Sequence, residues 1–278
     1  MKQLKLLAVL SAALCVPGAA LRALHFLNGF DTQTGLPVSG SAWAWYCIAL
    51  FVLCGAAYAA LSAPLRARKN TPFEGLLGTQ ATGFRMTAVI AGLLLAVGGA
   101  AYLYLTVTTA EEDAAVWAKA LEIVYAAATI LAGVCAVGLA RAQGSEMTAQ
   151  SARLTLGLLL WSCLHLLVTY RMTCTDPKLP SFGFGLIGDV LLVLALYQLA
   201  RLLYGKPRPA AFAFCGALAV TMSIADIGGY GLSWLMGVRA VGWTQKMVLR
   251  GGLSAAACLL VAAELFVLAE NCARNKEA

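Results

Sequence analysis

The chain has 278 residues, of which 61% are hydrophobic and 12% are charged, and its mean hydropathy is +0.80. A soluble domain usually carries about 25% charged residues, so this composition excludes a soluble globular domain and requires lipid as the main solvent. The net charge of +7 comes from short basic groups between apolar runs. That pattern is typical of membrane topology signals and does not indicate a nucleic-acid-binding surface.

Eight apolar runs approach or exceed the length of about 20 residues that a helix needs to cross a bilayer. We therefore predict an all-α, polytopic membrane helical bundle of about eight transmembrane helices, which forms a single membrane domain over residues 1–278. The predicted spans are Leu4–Leu27, Ala42–Leu61, Met86–Val107, Val116–Ala140, Leu154–Tyr170, Gly185–Leu203, Ala211–Gly228 and Gly251–Leu268.

The first run has two interpretations. Its basic start at Met1–Lys5 and the small residues at Pro17–Ala20 are typical of a cleaved signal peptide. Apolar character nevertheless continues to Leu27, which makes the run long enough to span a bilayer. We favour an uncleaved first helix, and cleavage would leave seven helices.

A polar turn, "FDTQTGLP", follows the first span. Asp31 favours a turn or a helix cap, and Gly35 suits a positive φ. A related stretch, "TCTDPKLP", follows the fifth span, and its Asp176 has the same interpretation. The similarity predicts two parallel half-repeats, residues 1–140 and 150–278, an arrangement that occurs in transporters with a site between the halves.

The first helix and its turn, from Arg22 to Pro37 with Asp31-Thr32-Gln33-Thr34-Gly35, resemble a pattern in uncharacterised bacterial multi-pass membrane proteins. The resemblance implies a multi-pass fold in a bacterial membrane. It implies no activity, substrate or functional residue.

Lys and Arg residues are more frequent in the predicted loops that lie on the same side of the membrane as the N-terminus. Because loops rich in Lys and Arg usually stay in the cytoplasm, we predict a protein of the cytoplasmic membrane with both termini on the cytoplasmic side. The tryptophan-containing segment Gly229–Arg250 is predicted to lie in the headgroup region on the opposite side. The sequence Gly228-Gly229-Tyr230-Gly231 at its start is predicted to be a bend.

Ionisable side chains at membrane depth cost about 2.5–3.5 kcal/mol each on insertion scales, so they should face the bundle interior, water or the interface. We predict that several of them converge near one end of the bundle and bind a solute or relay protons. These candidates are Arg22, His25, His165, Arg171, Asp189 and Asp226. Glu264 is predicted to lie near the opposite end.

Structural roles are open for the same residues. Arg22 can snorkel to the headgroups, and His25 and His165 can be hydrogen-bonded packing residues. Lys119 and Glu122 lie three positions apart, so we predict that they form a structural ion pair on one helix face.

Cofactor chemistry has little support in the sequence. His25 and His165 are the only histidines, so one bis-histidine haem is the maximum, and we do not favour it. The nine cysteines have no spacing typical of a metal site or a disulfide framework. Motifs of hydrolases and nucleotide-binding enzymes are absent.

The predicted function is that of a carrier or binding protein for a small anionic solute or for protons. The alternatives are a non-catalytic membrane partner or scaffold subunit, and a b-type haem membrane protein. An intramembrane enzyme is the least supported class. Expected partners are the lipid bilayer, a small solute and another membrane protein, and nucleic acid is not expected.

Overall fold

Helices form almost all of the regular structure in the described part of the chain, with one isolated antiparallel bridge between Phe30 and Pro37. The structure is a computed structural model, and it describes residues 2–31, 33–69, 71–109, 116–144, 149–174, 179–205, 207–238 and 242–274.

Ten α-helices follow one another within these residues, and a 3-10 helix, Ala63–Arg68, extends the third. The α-helices are α1 (Lys2–Ala13), α2 (Cys15–Asn28), α3 (Trp43–Ser62), α4 (Phe73–Leu77), α5 (Thr82–Thr108), α6 (Val116–Ala142), α7 (Ala149–Thr173), α8 (Leu179–Leu203), α9 (Pro209–Leu235) and α10 (Gln245–Arg274).

Eight helical segments are long and apolar enough to cross a membrane, so the predicted all-α, eight-helix architecture is confirmed. The chain is an integral multi-pass membrane protein. The spans are Gln3–Asn28, Trp43–Arg68, Thr82–Thr108, Val116–Ala142, Ser151–Thr173, Ser181–Leu203, Pro209–Leu235 and Gln245–Arg274.

The first span consists of two helices, because α1 ends at Ala13 and α2 begins at Cys15. Pro17 explains the break. Its ring has no N–H, and it clashes with the carbonyl group four residues earlier, which belongs to Ala13. The remaining contacts across the break are regular, since the N–H of Gly18 donates to the carbonyl oxygen of Leu14 at 3.0 Å.

The predicted end of the seventh span at Gly228 was wrong, because α9 continues to Leu235. The glycines that suggested a bend lie inside this helix and let another helix approach. A Cβ atom on Gly229 would lie 2.6 Å from the Cβ of Arg22, and one on Gly228 would lie 3.1 Å from the Cβ of Ala19. Glycine is needed here for close packing of α2 on α9.

The eighth span also begins earlier than predicted, at Gln245. Lys246 and Arg250, which we had placed in an interfacial segment, lie in the first turns of α10 and are 8% and 2% exposed. The part of the predicted interfacial segment from Gln245 to Arg250 is therefore helical and belongs to the eighth span.

The spans α9 and α10 lie at the centre of the bundle and are the most buried. α9 packs against α2, α8, α10 and α3, while α5 and α6 form a close pair next to α10 and α7. Large apolar side chains on the outer helices, such as Leu53 and Val97, are exposed, as expected for a lipid-facing surface. The division into two half-repeats stays a prediction.

The turn after α2 has the predicted chemistry. The carboxylate of Asp31 accepts hydrogen bonds from the N–H of Gln33 at 2.9 Å and the hydroxyl of Thr34 at 3.0 Å. These bonds, chiefly the one from Gln33, hold the pKa of Asp31 below its usual value. Gly35 has a φ of 68°. The corresponding Asp176 lies outside the described residues.

The contact between α5 and α6 gives a test of the packing. A Cβ on Gly92 would lie 2.7 Å from the carbonyl oxygen of Gly133, so Gly92→Ala should lower the free energy of unfolding by about 1–3 kcal/mol. Gly83, on the same helix, has no atom within 4 Å of its Cβ position, and Gly83→Ala should stabilise by up to about 1 kcal/mol. Thermal unfolding in detergent would measure both changes, and equal effects would contradict the close contact.

Candidate functional site

Small residues bring α2 against α9 and thereby place Arg22 beside Asp226. A Cβ on Gly18 would lie 2.9 Å from the Cβ of Ala225, and one on Gly229 would lie 2.6 Å from the Cβ of Arg22. In a membrane, helices associate largely through such close packing of small residues. The backbone contact is therefore what permits the polar contact next to it.

Arg22 is fully buried and forms an ion pair. Its Nε donates to Oδ1 of Asp226 at 2.7 Å, its Nη1 lies 2.5 Å from Nδ1 of His25, and its Nη2 donates to the carbonyl oxygen of Ser181. The guanidinium group thus connects α2, α8 and α9. This geometry excludes the alternative that Arg22 snorkels to the headgroups.

Aromatic rings enclose the guanidinium group of Arg22. Its Cζ lies 4.1 Å from the ring centre of Phe26 and 4.6 Å from that of Phe184. The ring of His25 lies 5.0 Å from that of Phe30. Such cation–π contacts are stronger when the cation is shielded from water, and they lower the cost of burying the charge.

A second polar network joins α6, α7, α8 and α10 around His165. The hydroxyl of Tyr125 lies 2.8 Å from Nδ1 of His165, whose Nε2 lies 3.4 Å from Oδ2 of Asp189. The hydroxyl of Ser254 donates to Oδ1 of Asp189 at 2.6 Å. A histidine between a phenol and a carboxylate is an arrangement that can accept and release a proton.

The structure corrects the predicted Lys119–Glu122 ion pair. Lys119 is exposed, and the carboxylate of Glu122 instead accepts from Nζ of Lys246 at 2.8 Å and from the hydroxyl of Thr106 at 3.2 Å. Glu122 is 4% exposed and Lys246 is 8% exposed. A cation beside a buried ionised carboxylate lowers the cost of its burial, and α10 supplies one here because this helix begins earlier than predicted.

A cavity of about 60 Å³ lies between α7, α8, α9 and α10. His165, Asp189 and Asp226 line it, so three of the predicted site residues converge there. The other lining residues are Thr169, Thr173, Phe182, Gly185, Leu186, Ser223, Ile227, Trp243, Met247, Arg250, Gly251 and Ser254.

The base of the cavity lies deep within the bundle. At a rise of about 1.5 Å per residue, His165 lies about 12 Å from the end of α7 and Asp189 about 15 Å from the start of α8. Trp243 lies toward the nearer end of the bundle, with its ring stacked on that of Tyr230 at 4.1 Å and next to that of Phe182 at 6.1 Å. Phe182 and Trp243 are themselves part of the cavity lining.

Arg250 is the most informative residue that the sequence analysis missed. It is 2% exposed and lines the cavity, and its Nη1 lies 3.4 Å from the hydroxyl of Tyr102. Its Nε has no hydrogen-bond partner in the protein. Among the residues that the structure describes, no carboxylate forms an ion pair with this guanidinium group.

Other polar atoms at the cavity also have no hydrogen-bond partner in the protein. They are Oγ1 of Thr169, Oγ of Ser223 and Nε1 of Trp243. Buried polar groups are normally satisfied, and hydroxyl and indole N–H groups can both donate to an anion. Together with Arg250, these atoms give the cavity a surplus of donors.

Three predicted site residues lie outside the cavity lining, namely Arg22, His25 and Arg171. The ring of His25 contacts the guanidinium group of Arg22. Arg171 lies at the end of α7, with its Cζ 4.2 Å from the ring centre of Trp117. Glu264 also lies apart, where its carboxylate accepts a hydrogen bond of 2.5 Å from the side chain of Gln143.

The geometry does not support the haem alternative. Both ring nitrogens of His165 lie near protein partners, and Nδ1 of His25 lies against Arg22. Within the described parts of the chain, no group of three or more His, Cys, Asp or Glu side chains is arranged to hold a metal ion.

These observations define the class of protein: a multi-pass membrane protein with a cavity between four of its helices that charged, polar and apolar side chains line. Comparison with known protein families, with curated proteins and with solved structures finds no match to the chain.

The buried ion pair gives a test of the site's architecture. Asp226→Asn leaves the Arg22 charge buried without a counter-ion, so it should lower the free energy of unfolding by about 3–5 kcal/mol. The double variant Arg22→Gln/Asp226→Asn should recover part of this loss. The exposed pair between Arg274 and Glu270 is the control, and Arg274→Gln should cost at most about 1 kcal/mol. Similar losses at both pairs, measured by denaturation in detergent, would contradict the buried pairing.

Proposed function

We propose that this protein binds a small monovalent anion in the cavity between α7, α8, α9 and α10, together with one proton, and acts as a carrier for that solute. The observation that carries the proposal is Arg250. Its buried guanidinium group lines the cavity and has no carboxylate partner in the described residues.

The volume restricts the size of the solute. About 60 Å³ has room for roughly four water molecules, which corresponds to a halide or an anion such as formate. A guanidinium group and hydroxyl donors bind such ions through charge-assisted hydrogen bonds. A bulky organic solute would require the surrounding helices to separate.

The charges around the cavity explain why a proton should accompany the anion. With neutral histidines, the buried positive and negative side chains balance, so an added anion leaves an uncompensated charge in a medium of low polarity. A proton on His165 removes that charge and converts its contact with Asp189 into an ion pair. The balancing residues are Arg22, Lys246 and Arg250 on one side, and Glu122, Asp189 and Asp226 on the other.

The proposed orientation follows from the Lys and Arg distribution in the loops. The cavity lies nearer the end of the bundle that carries the Asp31 turn, and the positive-inside rule places this end outside the cytoplasm. Both termini would then be cytoplasmic in a bacterial cytoplasmic membrane. Solute would enter past Trp243 and the rings that pack on it.

Removal of the Arg250 charge tests the anion site. Arg250→Gln should weaken the binding of chloride or formate by about 10- to 100-fold, because a charge-assisted hydrogen bond is lost. Arg171→Gln removes the same charge near the same end but outside the cavity, and it should leave binding unchanged. Calorimetry on the purified protein would measure both.

Equal affinity in the wild type and in a folded Arg250→Gln variant would overturn the anion site. If the wild type bound none of a panel of halides, formate and acetate but purified with a stoichiometric membrane partner, the scaffold alternative would replace the proposal.

The pH dependence of binding tests the proton. If one proton enters with each anion, affinity should fall about tenfold for each unit of rising pH in one range. In that range the empty site has lost its proton and the occupied site still holds it. His165→Gln should remove this dependence. The other titratable or charged groups around His165 are Tyr125, Asp189, Asp226 and Arg250. A slope that persisted in His165→Gln and disappeared in Asp189→Asn would assign the proton to the carboxylate and contradict the role of His165.

A further inference from the structure

A second cavity lies at the opposite end of the bundle, and its lining is strongly basic. It has a volume of about 780 Å³ and lies between the end of α3 with its 3-10 extension, the end of α8 and the start of α9. We call it the basic groove. Its lining includes the basic residues Arg66, Lys69, Arg201 and Arg208 and the apolar residues Leu65 and Phe214.

Four cationic side chains from separate segments converge on the basic groove. Arg66 and Lys69 come from the 3-10 helix and the residue after it, Arg201 from the last turn of α8, and Arg208 from the position before α9. None of the lining residues that the structure describes is acidic, and none of the four cations has an ion pair with another described residue. No acidic side chain in the described lining offsets these four positive charges, so the groove can attract an anion.

The position of the groove relative to the spans indicates which anion it takes. The second span ends at Arg68, the sixth ends at Leu203 and the seventh begins at Pro209, so the cations lie at the boundary of the apolar region. Apolar side chains such as Leu65 and Phe214 form the part of the lining next to them. A ligand that fits both parts has an anionic head and an apolar tail.

We propose that the basic groove binds the phosphate headgroup of an anionic phospholipid, with an acyl chain lying along the apolar lining. Arginine suits this role because its planar guanidinium group can bind two phosphate oxygens at once. In the proposed orientation the groove lies on the cytoplasmic side, where basic pockets between transmembrane helices bind anionic lipid headgroups. The inference does not depend on the solute cavity, which lies toward the other end of the bundle.

The test uses the purified protein with phosphatidylglycerol as the probe and phosphatidylcholine as the neutral reference. Native mass spectrometry in detergent would count the bound lipid over a titration. The wild type should bind phosphatidylglycerol with a clear preference over phosphatidylcholine. Arg201→Gln/Arg208→Gln should weaken that binding by about 30-fold, as expected for the loss of two basic residues near a charged lipid.

The matched control removes two charges at the same end of the bundle but outside the groove. Arg141 and Arg153 are both exposed and do not line it, so Arg141→Gln/Arg153→Gln should retain the affinity of the wild type. Equal losses in the two double variants would mean that lipid binding follows the general surface charge, and the site would be refuted.

A competition experiment separates a lipid from a soluble phosphate. If inorganic phosphate displaced phosphatidylglycerol at a comparable concentration, the groove would bind a free phosphate and the lipid proposal would be overturned. Retention of phosphatidylglycerol against an excess of phosphate supports the lipid. Anion binding at Arg250 should be the same in both double variants, so a failure here is distinguishable from a failure of the proposed function.

Discussion

The ion pair between Arg22 and Asp226 is the interaction on which the arrangement of α2, α8 and α9 depends. Neither charge is tolerable alone at this depth, because the penalty of removing an ion from water exceeds what apolar packing can offset. The pair forms only because glycine and alanine let the two backbones approach. Arg22 then also holds the carbonyl oxygen of Ser181 at the start of α8. One side chain thereby fixes one wall of the cavity.

The same requirement organises the other half of the site. Glu122 finds its cation on α10, and Asp189 lies between His165 and Ser254. Every buried carboxylate around the cavity therefore has a partner from another helix, whereas the guanidinium group of Arg250 has none among the described carboxylates. Arg250 is needed for the charges around the cavity to balance, yet its guanidinium group contacts none of these carboxylates. This makes the cavity a candidate for an anion, and the His165 network offers a place for the compensating proton.

The sequence predicted the number and type of the membrane-spanning segments, because the thickness of the bilayer sets the length of apolar sequence that a span needs. Of the six residues predicted to converge, His165, Asp189 and Asp226 line one cavity, whereas Arg22, His25 and Arg171 do not. The prediction is wrong at Lys246 and Arg250, because a charged residue in a sequence indicates the end of a span, whereas partners on other helices can accommodate a charge inside one. The predicted pair between Lys119 and Glu122 is wrong for a related reason. A sequence shows which residues are spaced to meet on one helix, but it does not show a contact between helices that are distant in the chain. Gly228 and Gly229 predict a bend, because the neighbouring sequence does not indicate that Ala19 and Arg22 pack against them.

The separation of Arg22 and Asp226 along the chain, 204 residues, has a consequence for biogenesis. At a synthesis rate of about 5–20 residues per second, the arginine of the first span leaves the ribosome roughly 10–40 seconds before its counter-ion. During this interval the nascent span must keep its guanidinium group in the insertion machinery or at the membrane surface. The final position of α2 is therefore settled late, when the seventh span enters the bilayer.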